Sequence, residues 1–136
     1  MDIVIEIYRM SRRLPADEKF GLTAQLRRAA VSVASNIAEG HARIGAGEFR
    51  RFVSIARGSV AEIETQLAVA VALDYFVAGE IISLSSKLDR LSRMLFALYR
   101  SLGGPATERG DGGAATERGD GGAATGDGMD RPMTRD

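Results

Sequence analysis

The chain has 136 residues, enough for one domain of ordinary size, and its formal net charge at pH 7 is zero. That zero hides two unlike parts, because residues 1–104 carry 14 Lys and Arg against 11 Asp and Glu, whereas residues 105–136 carry 4 Arg against 7 Asp and Glu. The chain has no cysteine and one histidine, which excludes disulfides and cysteine metal sites, and no apolar run reaches the roughly 18 residues of a membrane span.

The first predicted element is a helix over about residues 2–13, which ends before Pro15 because the residue before a proline is disfavoured in helical geometry. Its start carries Asp2 and Glu6 where a secretory signal peptide would carry positive charge before a long apolar run. We therefore expect a cytoplasmic protein with no membrane partner.

The second predicted helix runs over about residues 17–42, and apolar side chains cover much of its circumference. One side is large and should face the bundle core: Leu22, Leu26, Val33 and Ile37. A second side is mostly small: Ala24, Ala30, Val31, Ala34 and Ala38. Helices this apolar are usually buried on more than one side. We expect the small side, or the polar line beside it, to lie against a helix outside the simple core, such as one from another subunit.

That polar line includes Gln25, Ser32 and Asn36 and is matched by a similar line on the third predicted helix, which follows residues 44–47 and runs to about 76. The opposite face of the third helix is an apolar stripe that should face the core: Phe49, Phe52, Val53, Ala56, Val60, Ile63 and Leu67. Buried polar groups need hydrogen-bond partners. We predict that the two lines meet in an interhelix or subunit network of these residues: Arg27, Arg28, Ser32, Asn36, Glu39, Ser59, Glu62 and Gln66. The alternative is that both lines are solvated. Gly58 in the third helix predicts a close approach of another helix, which would offset its cost of about 1 kcal/mol relative to Ala.

The fourth predicted helix, about 79–102, has apolar residues at alternating spacings of three and four, a pattern that suits bundle packing. They are Ile81, Leu84, Leu88, Leu91, Leu95, Leu98 and Leu102. No segment alternates with period two over the length of a strand, and short connections favour antiparallel neighbours. The sequence therefore predicts an all-α, antiparallel up-down four-helix bundle over residues 1–104.

Residues 105–136 form a repetitive, acidic tail rich in Gly and Ala. The nine-residue unit at 106–114 recurs unchanged at 115–123, and a third copy begins at 124. The unit has no large apolar residue, so burial cannot offset its ordering entropy. We predict a disordered tail without a specific ligand.

The sequence contains no recognisable catalytic cluster, so we expect a non-enzymatic protein with no cofactor and no metal. A di-metal site in a bundle needs several Glu with paired His, and His41 is the only histidine. Three basic groups are candidate nucleic-acid-binding residues: Arg9, Arg12 and Arg13; Arg43, Arg50 and Arg51; Lys87, Arg90 and Arg93. Each group could equally be a solvated surface with ion pairs. Because aromatic residues are few, binding would follow the nucleic-acid backbone and shape.

The segments LTAQLRRAAVSVASNIAEG (22–40) and EFRRFVSIARGSVAEIETQL (48–67) resemble the two signature segments of a bacterial four-helix-bundle family. This family includes the proteins encoded in 23S rRNA intervening sequences and the accessory variability proteins of diversity-generating retroelements. The resemblance covers about residues 3–102 and implies a ring-like homopentamer. In the retroelement branch it also implies contact with RNA and a reverse transcriptase. Family members usually begin further upstream, so either the true start precedes Met1 or the first helix is short.

Two functions therefore stay open at the level of sequence. The first is an oligomeric accessory protein that contacts the backbone of RNA or DNA through its arginine clusters. The alternative is a homo-oligomeric scaffold that binds a protein partner and has no nucleic-acid role.

Overall fold

The computed structural model describes residues 1–106, and this part of the chain contains four α-helices and no strand. The helices are α1 (Asp2–Ser11), α2 (Leu22–Ala42), α3 (Ala46–Ala72) and α4 (Ala78–Ser101), with a short 3-10 turn, Ala16–Glu18, before α2. The predicted all-α class with four helices is confirmed here. Of the predicted tail, residues 107–136 lie outside the described residues.

Neighbouring helices run antiparallel, as their contacts show. Between α2 and α3, Ser32 lies opposite Ser59, and Arg28, one turn earlier, reaches Glu62, one turn later. In three further helix pairs, early residues of one helix also contact late residues of the other: α1 with α2, α1 with α4, and α3 with α4. The up-down order follows from the connections, which are too short to carry the chain back along the bundle.

The core is built from the apolar stripes that the sequence predicts. On α3 the buried members of the stripe are Phe52, Val53, Ala56, Val60, Ile63 and Leu67. On α4 they are Leu84, Leu88 and Leu95, and the other members of the seam are partly buried against the core. On α2, Leu26 and Val33 are buried, but so is Ala30, which the sequence assigns to the outer, small side. The small side of α2 therefore belongs in part to the chain's own core.

The helix ends differ from the predicted ones by a few residues. At the start of α2, Gly21 is not helical, and Glu18 Oε2 accepts the backbone N–H of Leu22 at 2.8 Å, so α2 begins at Leu22 rather than near residue 17. At the end of α3, Asp74 takes a left-handed φ of 60°. The chain therefore turns there, and α3 ends at Ala72 rather than near residue 76.

The Glu18 carboxylate also holds the corner between α3 and α4. Its Oε1 accepts the hydroxyl of Tyr75 at 3.0 Å, while Oε2 caps α2. The hydrogen bond to Glu18, followed by burial and by the charges of Glu18 and Asp17, raises the pKa of Tyr75 above its ordinary 10.0. The Glu18 side chain thus links the turn before α2 to the turn between α3 and α4.

The close approach of two helices occurs at Gly40 and not at Gly58. A Cβ atom at Gly40 would lie 2.7 Å from Phe52 Cβ and 2.9 Å from Phe49 Cδ2. At Gly58, a Cβ would meet nothing within 4 Å, and the residue is exposed. Within residues 1–106 no other helix approaches Gly58, because α3 turns that residue outward.

Candidate functional site

The two predicted polar lines meet at the middle of the α2–α3 contact. Ser32 Oγ and Ser59 Oγ lie 2.9 Å apart, and Asn36 Nδ2 donates to both Ser32 Oγ (3.0 Å) and the Ser32 carbonyl (2.8 Å). Ser59 is 5% exposed, and Ser32 and Asn36 are half-buried. These short side chains fix the α2–α3 register because each satisfies another's hydrogen bond in a site largely closed to water.

Farther from Ser32 and Ser59, three other residues of the predicted network are exposed to solvent: Arg28, Glu39 and Glu62. Arg28 Nη2 lies 3.6 Å from Glu62 Oε2, but both side chains are at least half exposed, so the pair adds little stability. Glu39 binds Arg43 at 2.6 Å instead of joining the serines. Gln66 Oε1 is buried and accepts no hydrogen bond within residues 1–106. The structure thus brings Ser32, Asn36 and Ser59 together, links Arg28 to Glu62, and leaves Glu39 and Gln66 apart.

Arg27 belongs to a different contact, between α1 and α2. Its Nε donates to Ser11 Oγ at 2.8 Å, and its guanidinium lies 5.0 Å from the centre of the Tyr8 ring. Ser11 Oγ in turn donates to the Tyr8 carbonyl at 2.9 Å. Arg27 therefore holds α1 against α2 within this chain.

Two of the three basic groups lie on α1, α4 and the turn that follows α1. These helices pack side by side through Lys87–Glu6 at 2.7 Å and Arg13–Glu80 at 3.0 Å. Arg9 and Lys87 line one shallow cavity together. The α1–α4 surface, defined by these two groups, carries Arg9, Arg12, Arg13, Lys87, Arg90 and Arg93. Its acidic residues are Asp2, Glu6, Glu80 and Asp89, so it keeps a net positive charge.

The third group lies at the α2–α3 corner. The guanidinium groups of Arg43 and Arg51 lie 5.3 and 5.5 Å from the centre of the Phe52 ring, within the range of cation–π contacts. Arg50 Nη1 donates to the carbonyls of Leu102 (3.4 Å) and Gly103 (3.1 Å) and so caps α4. The 21 residues of α2 separate this corner from Arg12 and Arg13 by about 30 Å.

Pairing divides the nine basic candidates. Arg13, Arg43, Lys87 and Arg93 are in ion pairs. Four of the nine are exposed and have no acidic partner within residues 1–106: Arg9, Arg12, Arg51 and Arg90. Such guanidinium groups are suited to phosphate oxygens, which they bind through two parallel N–H donors. Arg51 lies against the Phe52 ring at the α2–α3 corner, whereas Arg9, Arg12 and Arg90 lie on the α1–α4 surface.

Residues 1–106 contain no group of three or more His, Cys, Asp or Glu arranged to hold a metal ion. In the same part of the chain, no helix is long and apolar enough for a membrane crossing.

Sequence reasoning missed two residues of these contacts. Ser11 is 2% exposed and occupies the apolar spacing of Val4, Ile7 and Leu14, which marks it as a core position. Gly40 follows Asn36 by one turn on the α2 face that meets α3, a place where a glycine indicates close packing. The spacing of Ser11 and the position of Gly40 can be seen in the sequence, but the residues that they contact can be identified only in the structure.

A comparison with family models and curated proteins adds an independent finding. The family model described as 23S rRNA-intervening sequence protein matches residues 1–97 of the chain. No curated protein matches it. The matched residues include nearly all of the four helices and both polar lines.

Proposed function

This chain belongs to the family of 23S rRNA-intervening sequence proteins, and we propose that it is a non-enzymatic, self-associating accessory protein that binds the phosphate backbone of RNA or DNA. The observation that carries the proposal is the α1–α4 surface, where Arg9, Arg12 and Arg90 have no acidic partner among residues 1–106. Unpaired, exposed arginines can exchange counterions for phosphates without first breaking an ion pair.

Charge-matched variants test this assignment. In the full chain, replacing Arg9, Arg12 and Arg90 together by Gln should weaken binding to a labelled RNA hairpin or DNA duplex about tenfold or more at low salt. The matched control replaces Arg13, Arg43 and Arg93 by Gln, which removes the same charge but from arginines in ion pairs. Fluorescence anisotropy should show a smaller loss for the control. Equal losses would contradict the claim that the arginines without acidic partners are the ones that bind phosphate.

Self-association rests on the outer side of α2. Val31 is 43% exposed, and Ala24 and Ala38 are also exposed, so an apolar strip of small residues faces outward. Small side chains let a second helix approach closely, and a symmetric ring would repeat the basic surface in each copy. The resemblance favours a pentamer, whose mass by light scattering would be about five times the 14.5 kDa of one chain. A monomer mass would contradict self-association.

The alternative function is a scaffold that binds a protein partner. A stable oligomer in which the wild-type chain binds neither RNA nor DNA at low salt would favour it. In that case the arginines of the α1–α4 surface would serve only as solvated helix surface.

A further inference from the structure

A half-open apolar cavity of about 400 Å³ lies near the start of α1, between α1, α2 and α4. Its floor includes Ile63 of α3 and Leu88 of α4, both fully buried, and aliphatic side chains from α1, α2 and α4 form the walls. This volume falls within the range of small-molecule sites, which occur between the helices of bundles. Neither polar network described above uses these residues.

Three charged side chains line the cavity: Lys87, Arg90 and Asp2. Lys87 pairs with Glu6 at 2.7 Å, and Asp2 lies in the first turn of α1, where the helix dipole favours a carboxylate. Arg90 is exposed and has no acidic partner within residues 1–106. An anionic group at the mouth would meet this guanidinium.

The size of the cavity favours an alkyl chain over a docked helix. The α2 wall runs from Ala30 to Ile37, about two helical turns or roughly 10 Å. A peptide helix of that length is marginal in water, so docking would have to supply its folding as well as its binding. An alkyl chain needs no such ordering, and apolar cavities lined by aliphatic side chains accept apolar molecules readily.

We propose that this cavity binds a linear amphiphile with one anionic head group. The alkyl chain lies over Ile63 and Leu88, and the head group binds Arg90 at the mouth. This site shares Arg90 with the surface proposed to bind nucleic acid, but its apolar floor and walls have no part in phosphate contact.

Methionine methyl groups provide built-in reporters. Met1 and Met94 line the cavity, whereas Met10 does not. In the full chain, decanoate should shift the Met94 ε-methyl NMR signal saturably and leave the Met10 signal in place. Decanol should bind about threefold to fivefold more weakly, because it lacks the charge that meets Arg90, and decylammonium more weakly still.

Two variants locate the ligand. Arg90→Gln should lower the affinity for decanoate to that for decanol, while Arg93→Gln, whose arginine pairs with Asp89 outside the cavity, should leave it unchanged. Ala34→Leu places a larger side chain in the cavity and should abolish binding of both probes, with circular dichroism to verify the fold. If that variant does not fold, the relative affinities of decanoate, decanol and decylammonium for the wild-type chain test the proposal instead.

Three results would overturn the proposal. The first is the absence of a saturable Met94 shift with decanoate, and the second is binding of decylammonium as tight as that of decanoate. The third is an unchanged affinity in a folded Ala34→Leu variant. None of them bears on binding to RNA or DNA, so the two proposals fail separately.

Discussion

At the scale of single residues, the α2–α3 contact depends on a glycine that allows close packing and on short polar side chains that form hydrogen bonds between the helices. The absence of a side chain at Gly40 lets α2 settle against Phe52 and Phe49. One turn earlier, Asn36 and Ser32 meet Ser59 from α3. Close packing and mutual hydrogen bonding therefore occur on the same face of α2, and each can be tested by removing or adding a few atoms.

Gly40→Ala should destabilise the fold by about 1–3 kcal/mol, because the new methyl group would lie under 3.0 Å from Phe52 and Phe49 and force α2 away from α3. Gly58→Ala is the matched control, at an exposed helical position with open space around it. It should stabilise the fold by about 1 kcal/mol through helix propensity. Urea unfolding of both variants measures the difference, and equal effects would disprove the close approach at Gly40.

Asn36→Ala should destabilise the fold by about 0.5–1.5 kcal/mol, because the half-buried Ser32 hydroxyl and carbonyl lose the amide that donates to them. Ser35→Ala, at the exposed neighbouring position, should leave stability unchanged or raise it slightly. Chemical denaturation of the two variants provides the measurement. Should both behave alike, the polar seam would be an ordinary solvated face.

At the scale of elements, Glu18 makes the corner of the bundle sensitive to high pH. The neutral Tyr75 hydroxyl donates to Glu18, so folding raises the pKa of Tyr75 above 10.0. The resulting stability is fully present below the unfolded pKa and is lost as pH rises through the higher folded pKa. This sign differs from that of a salt-bridged carboxylate, whose contribution is lost in acid.

The stability difference between the wild-type chain and Tyr75→Phe should therefore be constant from about pH 7 to about pH 9 and shrink above about pH 10. Urea unfolding at a series of pH values measures it. Tyr99→Phe is the control, because within residues 1–106 the hydroxyl that bonds a carboxylate is that of Tyr75 and not that of Tyr99. A difference that grew with pH would mean that Tyr75 does not donate to Glu18.

The central parts of the helices could be predicted from the sequence, but several helix ends and side-chain contacts could not. The apolar stripe of α3 and the apolar residues of α4 face the core as predicted, buried or partly buried, because a long apolar periodicity defines a single face of a helix. The sequence places the start of α2 too early, because Glu18 is a good helix former but caps the helix from outside it. The sequence groups Arg27 with the α2–α3 polar residues, whereas its partner in the structure is Ser11 on α1, which only the tertiary fold reveals.

At the scale of the whole molecule, pairing separates the arginines that hold the bundle together from those that do not. Arg50 caps α4, and Arg13 and Lys87 join α1 to α4. Arg9, Arg12 and Arg90 remain exposed on the α1–α4 surface. The sequence could identify all nine basic candidates but could not divide them, since ion pairs between helices depend on how the helices pack.

The salt dependence of nucleic-acid binding tests the central claim most directly. Anisotropy of a labelled RNA hairpin with the full chain should show binding at about 50 mM salt that weakens about tenfold or more by about 200 mM, as expected when a few phosphates are neutralised. The Arg9, Arg12 and Arg90 triple variant should show a shallower salt slope. No binding at the lower salt, or binding that salt does not change, would contradict backbone recognition by the α1–α4 surface.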